Sequence, residues 1–144
     1  MADSLLEDVT ELSAPAAGDL IYVCHDPAGT PVDRKLKIEN NFLPIVTVSF
    51  SGTPDFDANL GHMFIITLTS NITGWTISNP QSGQKITIIF VQDGTGSRTL
   101  AGAPGTVKLA GGSFTLSITA SKRDTLTLLY DGTNWNEVAR SVNL

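Results

Sequence analysis

The stretch VQDGTGSRTL, Val91–Leu100, places Asp93 beside Gly94 and Gly96. Such a loop could cradle an anion on its backbone N–H groups, and Asp93 could serve as an acid or a metal ligand. The spacing fits neither use. It lacks the G-x-x-x-x-G-K-[ST] order of a P-loop and the G-x-G-x-x-G of a dinucleotide site. The extended run RTL follows it, where phosphate binding needs a helix N-terminus. Asp-Gly between ITIIFV and RTL is instead a hairpin signal, with glycine adopting positive φ at no steric cost. A second Asp-Gly stands in LLYDGTNW, where Tyr130, Asp131 and Trp135 cluster around a turn. This group has two readings: a turn closed by two aromatics packing across a strand pair, or a glycan platform in which the rings face a sugar and Asp131 supplies polar contact.

The remaining chemical candidates are poorer. Cys24 and His25 are neighbours on an expected strand, so they point to opposite faces and cannot form a thiolate–imidazole pair. Nothing in the sequence positions His62 near Cys24. Asp55 and Asp57 bracket Phe56, but a calcium ion takes roughly six to eight oxygens and SGTPDFDANLG has no matching loop spacing. Asn71-Ile72-Thr73 matches a glycosylation acceptor, which means little without a secretion signal. A polysaccharide depolymerase would need paired carboxylates in a cleft, whereas the acids here fall mostly in turns or near the N-terminus. The expectation is a non-enzyme with no catalytic residues, no metal and no cofactor.

The elements that must carry these residues are short strands. From Leu20 onward, extended runs are expected at Leu20–Cys24, Val32–Ile38, Ile45–Phe50, Met63–Thr69, Trp75–Ser78, Lys85–Val91, Thr106–Leu109, Phe114–Thr119, Thr125–Tyr130 and Trp135–Val142. Gly-, Pro-, Asn- and Asp-rich separators punctuate them. In KITIIFV and TLTLLY threonine alternates with Ile and Leu, as half-buried strands require. No strict internal repeat is visible, so the expected architecture is all-β, a β-sandwich or barrel-like domain of short antiparallel strands rather than a solenoid of fixed period. The only helical pattern lies at the start, where Leu5, Leu6, Val9 and Leu12 recur at helical spacing behind the capping box Ser4-x-x-Glu7, before Pro15. A helix of about ten residues is below the ~12–15 at which isolated helices become marginal in water. It therefore needs a surface, on its own domain or on a partner. The expected division is an N-terminal arm over 1–18, an extended hairpin region over 19–44 and a β domain over 45–144.

Composition limits the partners. The 144 residues carry a net charge of −5, and only 16% are charged, against roughly 25% in soluble domains generally. Arg34-Lys35-x-Lys37 and Lys122-Arg123 are the nearest approaches to a basic cluster, too little to grip nucleic acid. No run reaches the ~18–20 apolar residues of a membrane span, and MADSLLEDVTEL has acids where a signal peptide needs positive charge. The lone Cys24 rules out an intrachain disulfide. Synthesis in the cytoplasm is expected, with no membrane partner. Low charge and threonine-rich strand edges point to surface covered by other chains.

Two stretches carry a family resemblance. GQKITIIFVQDGTGSRTLAGAPGTVKLAGGSFTLSITASKRDTLTLLYDGTNWNEVA resembles a segment of tailed-bacteriophage fibre and virion surface proteins. It has a QDGTGSRT hairpin at Gln92–Thr99, a short strand ending in Gly-Gly at Val107–Gly112, a T-A-x-K-x-D corner at Thr119–Asp124 and a closing YDGT-x-W at Tyr130–Trp135. AGDLIYVCHDPAGTPVDRKLKIENNF is similar to the D-x-L-Y-V-x-D-P-x-G-T-P stretch of phage fibre and decoration proteins. The resemblance implies a virion structural protein, all-β and homotrimeric. With no shaft repeats in the chain, the expected role is a capsid decoration (cement) or short head-fibre protein on the outer capsid surface. There the arm residues Leu5, Leu6, Val9 and Leu12 would bind the major capsid protein, three linked copies acting at high effective concentration. The alternative is a tail-fibre or receptor-binding protein touching host surface glycans through Tyr130, Asp131 and Trp135.

Overall fold

A computed structural model describes Leu20–His25, Val32–Lys37 and residues 45–144. The chain divides into two units, Met1–Phe42 and Leu43–Leu144. In the first unit β1 (Leu20–His25) pairs antiparallel with β2 (Val32–Lys37), Leu20 opposite Lys37 and His25 opposite Val32. This is the hairpin expected around the Asp-Pro-rich turn. Leu5, Leu6, Val9 and Leu12 lie outside the described residues.

The second unit winds. β3 (Ile45–Val48), β5 (Met63–Leu68) and β7 (Lys85–Gln92) lie side by side in parallel, with Ile45 beside Met63 and Met63 beside Thr87. Between them the chain crosses to a facing parallel pair, β4 (Asp55–Asp57) with β6 (Thr76–Ser78). A parallel bridge between Ile72 and Leu100 continues the same rise. The arrangement is β-solenoid-like. After β7 the direction reverses: β9 (Arg123–Tyr130) pairs antiparallel with β7 and with β10 (Trp135–Ser141), and the short β8 (Val107–Lys108) lies parallel to β10. The large sheet thus has the order β3-β5-β7-β9-β10-β8.

Strand alternation builds the core. One face of the large sheet contributes Phe64, Ile66, Leu68, Ile86, Ile88, Phe90, Leu126 and Leu128, all buried. Phe56 of β4 closes over them, edge-on to Phe64, Trp75 and Phe90 at centroid separations of 5.8, 6.2 and 6.1 Å. Each fully buried side chain of this size contributes about 1.5–3 kcal/mol, so this aromatic contact fastens the small sheet to the large one.

The all-β expectation holds for the described residues, where the only helical element is a 3-10 turn at Ala110–Gly112. No helix there is long and apolar enough to cross a membrane. The sandwich or barrel of antiparallel strands does not form. Alternation of Thr with Ile and Leu serves parallel and antiparallel pairing alike, so the pattern placed the strands without fixing their directions. The coil escaped notice because its turns differ in length: Ile45 meets Met63, Met63 meets Thr87, and Asp55 meets Thr76. Two local expectations also fail. Asp93-Gly94 does not make a hairpin, since β7 takes its antiparallel partner from β9. Phe114–Thr119 is not a strand, because the Ser117 N–H donates to the Asp124 carboxylate rather than to a ladder.

Candidate functional site

The turn after β9 gathers Tyr130, Asp131 and Trp135. The Asp131 carboxylate accepts N–H bonds from Thr133 at 2.8 Å and Asn134 at 2.7 Å, and one from the Asn136 side-chain amide at 2.7 Å. The bond from Asn134, followed by those from Asn136 and Thr133, holds the carboxyl below the ordinary aspartate range. Gly132 sits at φ 100°, which lets the chain return directly into β10. Tyr130 and Trp135 are opposite each other in the β9–β10 ladder, with rings 5.0 Å apart. Trp135 is only 1% exposed, so its ring faces the core and offers no face to a sugar. Its Nε1–H has no acceptor among the described residues. What the turn presents outward is Asp131, Gly132 and Thr133, with Tyr130 half-buried.

Asp93 has the same local chemistry in a different setting. Its carboxylate accepts N–H bonds from Thr95 at 3.0 Å and Gly96 at 2.8 Å and pairs with the Arg98 guanidinium at 2.7 Å. The hydrogen bond from Arg98 is the main reason the carboxyl is held low, reinforced by the Gly96 and Thr95 amides. Both carboxylate oxygens of Asp93 are thus engaged in shaping its own loop. Buried Gln92 locks the loop base: its amide nitrogen donates to the Arg98 and Ser117 carbonyls, and its oxygen accepts from the Arg98 N–H.

On the facing pair, Asp55 accepts from the hydroxyls of Thr76 and Ser78, and Asp57 accepts from the Asn59 N–H and the Asn79 amide. The bonds from Thr76, Ser78 and Asn79 tie one turn of the coil to the next. Among the described residues no three His, Cys, Asp or Glu side chains gather to hold a metal.

Residues that the sequence did not single out prove structurally central. Asp124, fully buried, accepts from the Ser117 N–H and hydroxyl and from the Asn143 N–H. Its place in the T-A-x-K-x-D corner was the available signal. Glu137 and Arg140 form an ion pair. On a regular strand, residues at that spacing face opposite ways, but a bulge between Glu137 and Ala139 turns both to the core side. No sequence signal marks that bulge. Glu137 accepts from the Ala110 N–H, while Arg140 donates to the Ala110 and Ser113 carbonyls and lies over the Phe114 ring at 5.3 Å. The pair lowers the Glu137 carboxyl below its ordinary range and raises the Arg140 guanidinium above its own.

No curated protein and no solved structure matches the chain. A family model described as "Putative phage tail fibre C-terminal domain" matches residues 39–135, from ahead of β3 through the Asp131 turn to Trp135. That span takes in the whole parallel coil and most of the hairpin that follows it, so the chain belongs to the phage tail fibre C-terminal domain family.

Proposed function

We propose that this protein is a non-enzymatic, host-contacting part of a phage tail fibre, self-associating as a homotrimer and recognising glycans of the bacterial surface. The observation that carries the reading is the family match over residues 39–135. It favours the tail over the capsid shell, and with it the receptor-binding role over the capsid-cement role that the lack of shaft repeats had favoured. The side chains that resemble catalytic acids are engaged in holding turns and coils, which supports binding without bond cleavage.

The outer face of the large sheet supports self-association. Ile45, Met63, Ile65, Ile89 and Val91 point away from the core, interleaved with Thr47, Thr67, Thr87, Thr125 and Thr127. The charges along β7 and β9 on this side are Lys85 and Arg123, at the strand ends. Between those ends the face carries none of the charged residues that deter strand and sheet association.

The test is adsorption. Purified protein is expected to compete with phage for host cells, and antibody against it to label the tail tip in electron micrographs. Labelled heads would return the protein to the capsid. Incubation with host polysaccharide is expected to release no oligosaccharide. Sedimentation is expected to give three chains per particle, and Ile89→Lys to dissociate them.

A further inference from the structure

Resting on the tail-fibre reading, we infer that the free edge of β3 is the attachment edge of this domain, where the fibre that carries it adds an uncharged strand parallel to β3. β3 stands at one end of the large sheet and, among the described residues, pairs only with β5. An edge strand in a parallel pair leaves the N–H and C=O groups of alternate residues without a partner. Those groups are a template for one more strand.

Short edges, charges and bulges keep strand edges from pairing, and the edges elsewhere have them. β8, at the opposite end of the sheet, is two residues long and carries Lys108. It covers β10 only at Trp135 and Asn136; beyond them β10 is bulged and carries the Glu137–Arg140 ion pair. β4, which shares the first turn of the coil with β3, is three residues long with Asp55 and Asp57 at its ends. β3 reads Ile45-Val46-Thr47-Val48, all β-branched, with no charge, no proline and no bulge. Its Ile45 is 63% exposed.

Three observations identify the strand that fits. β3, β5 and β7 rise in parallel, so a parallel strand continues the coil by one turn and covers Val46, Val48 and Phe50, which are only half-buried against the core. β3 is the first strand of the span matched by a family described as a tail fibre C-terminal domain, so the rest of a fibre lies on the side of this edge. An edge without charge offers nothing to pair with a charged strand.

The test adds the purified full chain to tail particles of its phage assembled without it. The chain is expected to attach, and exchange of the β3 amides that β5 does not bond is expected to slow at least about tenfold on attachment. Exchange in β7, paired on both sides already, is expected to stay as it was. Ile45→Lys combined with Thr47→Lys puts two charges on exposed positions of the edge. The double variant is expected to keep the wild-type unfolding midpoint and to lower the attached fraction at least about tenfold. Both positions also border the outer face, so if the variant no longer self-associates the exchange result on the wild type decides. Unchanged exchange in the attached wild type, or attachment of the double variant at the wild-type level, would overturn the assignment. So would slow exchange of these amides in the free chain, which would mean that the chain or a second copy already covers the edge. A chain that competes for host cells without attaching to tails overturns this inference alone. A chain that attaches to tails without competing for cells leaves it standing and removes the receptor-binding reading. Attachment to heads removes both.

Discussion

Asp93-Gly94 and Asp131-Gly132 begin with the same dipeptide and lead the chain in different directions. Each carboxylate takes the N–H groups two and three residues ahead of it. The Asp131 turn joins two strands that pair with each other. The Asp93 turn leaves β7 for the Leu100 bridge, and β7 waits until Arg123–Tyr130 for its antiparallel neighbour. The difference lies in what surrounds each loop. Gly96 is packed so closely that a Cβ would stand 2.6 Å from the Ile118 carbonyl and 2.7 Å from the Ala120 nitrogen, whereas a Cβ at Gly132 would meet only the Ser82 hydroxyl at 3.3 Å. An Asx turn therefore shapes a loop without choosing its destination.

The largest effect is expected at the aromatic anchor of the Asp131 turn. Trp135→Ala is expected to lose about 3–5 kcal/mol, the cost of emptying a large buried site, seen as a lower denaturant midpoint. Gly96→Ala is expected to cost about 3 kcal/mol, combining a left-handed conformation with a backbone clash. Gly132→Ala, with the conformational term and an adjustable neighbour, is expected to cost about 1 kcal/mol. Equal losses at the two glycines would refute the contrast.

Acid sharpens it. Both carboxyls titrate below the ordinary value of 3.8, so their folded pKa lies under the unfolded one. Their contribution is present above that value and is lost as pH falls through the lowered ones. Stability is thus expected to drop on acidification below about pH 4, and Asp131→Asn should flatten part of that decline. The smallest effect expected is salt dependence. Because Asp93 alone has a cationic partner, added salt should weaken its loop more than the other, read as local amide exchange at Thr95 and Gly96 against Thr133 and Asn134.

The strands were legible in the sequence to within a residue or two at Met63–Leu68, Lys85–Gln92 and Trp135–Ser141, since period-two alternation follows from side chains pointing to opposite faces. β4 was not. Asp55-Phe56-Asp57 looks like a turn, and Phe56 becomes strand because its ring fills the space between the sheets. The Tyr130–Trp135 pair was readable as two aromatics across a turn, but which ring would be covered was not.

Low charge, the short strands of residues 45–144 and the Asp-Gly turns are legible from sequence, because those properties depend on neighbours along the backbone. Strand direction, the winding of β3 to β7, the inward turn of Trp135 and the pairing of Glu137 with Arg140 were decided only in the tertiary structure. Each depends on which distant residue arrives to fill a space or accept a bond, and parallel and antiparallel partners ask for the same local pattern.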